Sequence, residues 1–188
     1  MSYSIRNDGF DYQGFYLDPY TVTDLFPNEI DIDDVIQFYA KDLQMKPYWR
    51  DVQAEFNPIE GLPVGPIPDI CTWMGSSLIF SPKAHDTLFS HLNEFGEFLP
   101  LTIEGTTFYL FNCITHGKLD ELYSKAEKLN ESGDVLQEER IRFNNIDTRD
   151  KLLFKTTLNN CSVLYCNETF IDLYNSKNLT GITFDKLN

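Results

Sequence analysis

The chain has no CxxC pair, no cluster of Lys and Arg, no long apolar stretch and no internal repeat. Each absence removes a class of protein. The four cysteines, Cys71, Cys113, Cys161 and Cys166, sit in or beside apolar runs. Without paired spacing they match neither a zinc ribbon nor a redox dithiol, and they are expected as reduced, buried thiols acting as small hydrophobes. Only 15 Lys and Arg stand against 29 Asp and Glu, a formal net charge of −14. Phosphate contacts need clustered cations, so neither nucleic acid nor an anionic membrane surface is an expected partner. No apolar run approaches the roughly 18 residues of a membrane span. The opening "MSYSIRNDGFDYQGFY" lacks the apolar centre of a secretory signal, which makes the cytoplasm the expected location.

Enough remains to build a core: 42% of the 188 residues are hydrophobic and 14% aromatic. Residues 1–30 are aromatic, acidic and turn-rich, and predict short irregular structure with one edge strand. "DIDDVIQFYAKDLQ" predicts one amphipathic helix: Ile32, Val35, Ile36, Tyr39 and Leu43 recur at helical spacing, Asp31 is placed as N-cap, and Pro47 marks the end. The proline-rich "NPIEGLPVGPIPDI" predicts an extended connector, dividing residues 1–64 from 65–188, or else forming a long loop inside one domain.

Beyond it, "SSLIFS" reads as a strand. Ser81, Pro82 and Gly96 form a start and stop signature for a helix. "EFLPLTIEGTTFYLFNC" predicts two strands joined at Glu104-Gly105, with Phe108 to Cys113 as a strand covered on both faces. Residues 117–134 predict a polar, partly helical surface excursion. "VLQEERIRF", "KLLFKTTL" and "SVLYC" predict strands, "NETFIDLYNSKN" a helix capped by Asn167, and "LTGITF" a closing strand. The mixture predicts an α+β fold, a mostly antiparallel sheet with a few helices packed against it.

The segment from Cys71 to Cys113 carries two histidines, and its chemistry can be tested by spacing. His85 and His91 are six apart, which does not place both on one helix face, so no metal site is expected. Cys113 lies within an apolar strand, where a thiolate is disfavoured, and no GxSxG or P-loop pattern is present. No catalytic residue, cofactor or metal ligand is therefore assigned. Cys113 and His116, the latter at a strand end, are the residues to which an enzymatic reading would turn.

"PDICTWMGSSLIFSPKAHDTLFSHLNEFGEFLPLTIEGTTFYLFNC" resembles the central block of a bacterial family of immunity proteins from polymorphic toxin systems, long catalogued as a domain of unknown function. The later "LLFK", "LYC" with "ETF", and "LTGITF" are similar to that family's closing strand, helix and strand, so the resemblance spans about residues 65–184. It implies an α+β protein that binds and neutralises a cognate toxin stoichiometrically, with no enzymatic residues to transfer. Two alternatives stay open: an enzyme or small-ligand domain using a cleft Cys or His, and a non-catalytic oligomerisation module.

An acidic binder suits a basic toxin, such as a nuclease, through complementary charge. Residues 1–60 hold twelve acids and four bases, which makes this portion the preferred contact face. The candidate contact residues are Asp31, Asp33 and Asp34 at the first helix start, with Tyr48 and Trp49 as aromatic anchors. Glu121 in the polar excursion and Glu138 and Glu139 on the following strand complete the set. Tyr12, Phe15 and Tyr16 are further aromatic candidates.

Overall fold

A computed structural model describes residues 1–124 and 140–187, and it has the α+β architecture that the sequence predicts. The order is β1 (Ser2–Asn7), β2 (Gly14–Tyr16), α1 (Pro19–Thr23), α2 (Ile32–Ile36), α3 (Phe38–Lys41), β3 (Val52–Gln53) and β4 (Glu55–Asn57). Then come β5 (Ile70–Trp73), β6 (Ser77–Phe80), α4 (Pro82–Leu92), β7 (Gly96–Ile103) and β8 (Thr106–Cys113). The chain closes with α5 (Asn145–Thr148), β9 (Leu153–Phe154), β10 (Tyr165–Asn167), α6 (Glu168–Ser176) and β11 (Ile182–Lys186).

Five strands form the central sheet in the order β3-β7-β8-β6-β5, antiparallel except for the β3–β7 pair. Four form a second, antiparallel sheet in the order β11-β1-β10-β9. The β7–β8 hairpin turns at Glu104 (φ 48°) and Gly105 (φ 76°), both left-handed, as a two-residue turn matched to strand twist requires. Strand β8 lies inside the central sheet and is covered on both faces. Phe108 and Leu110 point into one core, Phe111 and Cys113 into the other. Alternation along β6 does the same, sending Leu78 and Phe80 one way and Ile79 the opposite way.

Helices α4 and α6 and the second sheet cover one face of the central sheet, around Phe80, Leu88, Phe111 and Phe170. The segment carrying α1–α3 covers the other, through Val22, Val35, Phe38 and Met45. Residues 1–64 thus enter both sheets, by β1 in the second and β3 in the central one.

Several local expectations are corrected. β1 is not an edge strand: it lies between β11 and β10, pairing Ser4 with Tyr165 and Ile5 with Phe184. That pairing joins opposite ends of the chain and leaves no local trace. The predicted single helix over "DIDDVIQFYAKDLQ" is two short ones, broken at Gln37 (φ −96°, ψ 27°) so that Val35 and Phe38 both reach the core. Its end is set by left-handed Asp42 rather than by Pro47. Ile32, placed by spacing on the apolar face, is 58% exposed.

Helix α4 starts as predicted, with Ser81 Oγ accepting from Ala84 N at 3.2 Å and Pro82 in the first turn, but it stops at Leu92. Gly96 instead opens β7, where a Cβ would lie 2.3 Å from Asn112 O. "KLLFKTTL" yields only the two-residue β9, because Asn160 and Cys161 at positive φ turn the chain soon after a short 3-10 turn at Thr157–Asn159. Most of the polar excursion and of "VLQEERIRF" lies outside the described residues.

Candidate partner-binding face

The segment 16–34, "YLDPYTVTDLFPNEIDIDD", carries six acids and no base. Tyr16 closes β2, and the rest folds as α1, a loop and α2, with the two helices packed on each other. Each begins with an aspartate cap: Asp18 Oδ1 accepts from Tyr20 N at 3.0 Å, and Asp31 Oδ1 from Asp33 N at 2.8 Å. Capping ties these carboxylates to backbone donors where the positive end of a helix favours them. Asp24, Glu29 and Asp33 are exposed. Asp34 is half-buried and bridges Lys41 at 3.1 Å. Among these acids stand three exposed apolar side chains, Tyr16 (56%), Tyr20 (65%) and Ile32 (58%).

Polar contacts hold this layer on the central sheet. Glu97 accepts from Met45 N at 2.6 Å and Lys46 N at 3.0 Å, so one carboxylate satisfies two loop donors. Asn112 Nδ2 donates to Leu43 O and to Glu97 Oε1, both at 2.9 Å. Below the loop, Lys155 is wholly buried, and its ammonium donates to Tyr39 O and meets Asp42 Oδ1 at 2.7 Å. His116 Nε2 lies 2.9 Å from both oxygens of the same carboxylate. Burial pushes the Asp42 carboxyl up, but hydrogen bonds and charge from Lys155 and His116 outweigh it and hold it below the ordinary carboxylate range.

The structure divides the sequence-chosen contact residues. Asp31, Asp33 and Asp34 share one helix start. Tyr48 is half-buried, its ring tilted against Phe26 at 4.9 Å. Trp49 is a core residue rather than a surface anchor: it is 7% exposed, and its indole Nε1 donates to Pro100 O at 2.7 Å. A buried indole must find an acceptor, and the β7 carbonyl supplies it. Phe15 packs edge-on against Phe56 and Trp73. Glu121 is exposed, in a turn beside Asp120, whose N donates to Arg142 O. Glu138 and Glu139 lie outside the described residues.

Sequence reasoning passed over Tyr20 and the α1 start, although Asp18-Pro19 carries the same cap-and-proline signature as Ser81-Pro82. It also passed over Lys155, whose signal was a lysine inside the apolar run "LLFK". A buried charge demands a partner, but the run does not say which.

Burial pushes Cys113 up to about 12 and raises Cys71, Cys161 and Cys166 as well. Among the described residues no three His, Cys, Asp or Glu are grouped to hold a metal, and no helix is long and apolar enough to cross a membrane. No family model and no curated protein matches the chain.

Proposed function

We propose that this protein neutralises a basic protein toxin by stoichiometric binding, with the α1–α2 face as its contact surface. The carrying observation is the composition of that face: six acids, no base, and exposed Tyr16, Tyr20 and Ile32 between them. Acidic groups raise the rate of encounter with a basic partner and suppress wrong pairings. Binding energy concentrates in a few desolvated aromatic and aliphatic side chains ringed by polar groups, and the tyrosines and Ile32 supply them. The role as an immunity protein of a bacterial polymorphic toxin system rests on the resemblance over residues 65–184. Cytoplasmic residence belongs to the same reading, because a toxin must be met where it acts. Function here needs no catalytic group, in keeping with the raised thiols.

The experiment is co-expression with the product of the adjacent gene in the source genome, scoring growth and then co-purification. Restored growth with a defined complex supports the reading. Toxicity that the chain does not relieve, or a neighbour that is harmless and unbound, overturns it.

A further inference from the structure

A groove of about 800 Å³ opens beside β1 of the second sheet. Ser4 and Arg6 of β1 lie two apart and so share a face, and Ser4 sits opposite Tyr165 of β10. Arg140, Ile141 and Arg142 also line it, and Lys186 lies at the end of β11. Among the described residues the groove is lined by four cations, Arg6, Arg140, Arg142 and Lys186, and by no acid. In a molecule of charge −14, acids outnumber bases almost two to one, so this sorting is opposite to composition.

We propose that this groove binds a small phosphate ester of mononucleotide size. Arginine presents a planar fork that fits phosphate oxygens in pairs, and two of these forks are already steadied. Arg142 lies over the Tyr123 ring at 4.4 Å, with Asp120 Oδ2 4.0 Å from its Nε. Arg6 engages Asp185 at 2.7 Å through Nε, one of five donors, and Asp185 is not part of the lining. The rest of the wall suits an organic body: Ile141 and Val163 are apolar and half-buried, and Ser4, Thr72 and Ser162 carry hydroxyls. On the same wall the Asn159 Oδ1 is buried without a partner among the described residues, while its Nδ2 donates to Tyr165 at 2.8 Å. The volume far exceeds a bare phosphate and falls in the ordinary range of small-molecule sites, about 300–1,000 Å³. Asp185 and Asp120 stand beside these two forks, but each meets only an Nε, which leaves the terminal N–H donors of both arginines for a phosphate.

The test is calorimetric titration of the full chain with AMP, GMP, UMP and ribose 5-phosphate, beside Arg6→Gln/Arg142→Gln. At least one probe is expected to saturate at one per chain, and the double variant to bind it at least about tenfold more weakly. Both arginines are exposed, so the variant should melt as the parent does. If it does not, Arg142→Lys keeps the charge, loses the fork, and should still weaken binding. Saturation by none of the four probes overturns the proposal, as does undiminished affinity in the folded variant.

Discussion

The Lys155 ammonium, on a side chain with no exposed surface, lies 2.7 Å from Asp42 Oδ1, a carboxylate that remains 46% exposed. The lysine follows β9 of the second sheet and the aspartate closes α3, so the pair joins the acidic layer to the rest of the fold. The two partners are unequal, because only one is fully buried. Asp42→Asn keeps a side chain that tolerates the left-handed backbone but leaves a buried ammonium without a counter-charge, and should cost about 3 kcal/mol. Lys155→Met removes the buried charge and leaves Asp42 facing water, and should cost less than about 1.5 kcal/mol. Urea unfolding of both variants checks the order; equal losses would contradict it.

Acid should loosen the same junction. Asp42 is held below its ordinary value, and so is Asp147, where burial pushes upward but the Lys118 N–H and the Lys151 ammonium outweigh it. A depressed folded value contributes stability above the unfolded value of about 3.9, and that stability is lost as pH falls through the lower folded value. Stability should therefore drop below about pH 4, and Asp42→Asn with Asp147→Asn should flatten that limb. Equilibrium unfolding at stepped pH measures it. An acid limb of unchanged steepness in the double variant would refute the assignment.

With Cys113 raised to about 12 and the other three thiols raised by burial, none is thiolate near neutral pH. The native chain should react slowly with a disulfide reagent at pH 7.5, and all four thiols should react at once in denaturant. A single fast thiol in the native protein would revive a cysteine-based activity.

Glu97 serves Met45 N, Lys46 N and Asn112 Nδ2 together. Glu97→Ala removes an acceptor from three donors and should destabilise by about 2 kcal/mol, chiefly loosening the loop that follows α3. Hydrogen exchange at Met45 and Lys46 reads this directly; protection equal to the parent would show that the loop is held by other contacts.

What was legible in the sequence was local. Ser81-Pro82 and Asn167 placed helix starts because a cap is a contact between residues two or three apart. The Glu104-Gly105 turn and the doubly buried β8 were readable from turn chemistry and an unbroken apolar run. The inner position of β1 was hidden because its partners, Tyr165 and Phe184, lie at the far end of the chain. Trp49 could not be told from a surface anchor, since aromatic residues serve cores and interfaces alike, and only Pro100 across the sheet decides it. The acidic N-terminal portion was legible as charge. Its exposed Tyr20 and Ile32 were not, because exposure depends on which helix face meets the sheet.

The most direct test of the central claim is the association rate between this chain and the co-purified toxin at low salt. Asp24→Lys/Glu29→Lys/Asp33→Lys reverses exposed charge while sparing the capping carboxylates Asp18 and Asp31. The account predicts a rate at least about tenfold slower than the parent, with the difference shrinking as salt rises. An unchanged rate in the folded variant would mean that the toxin is met by another surface.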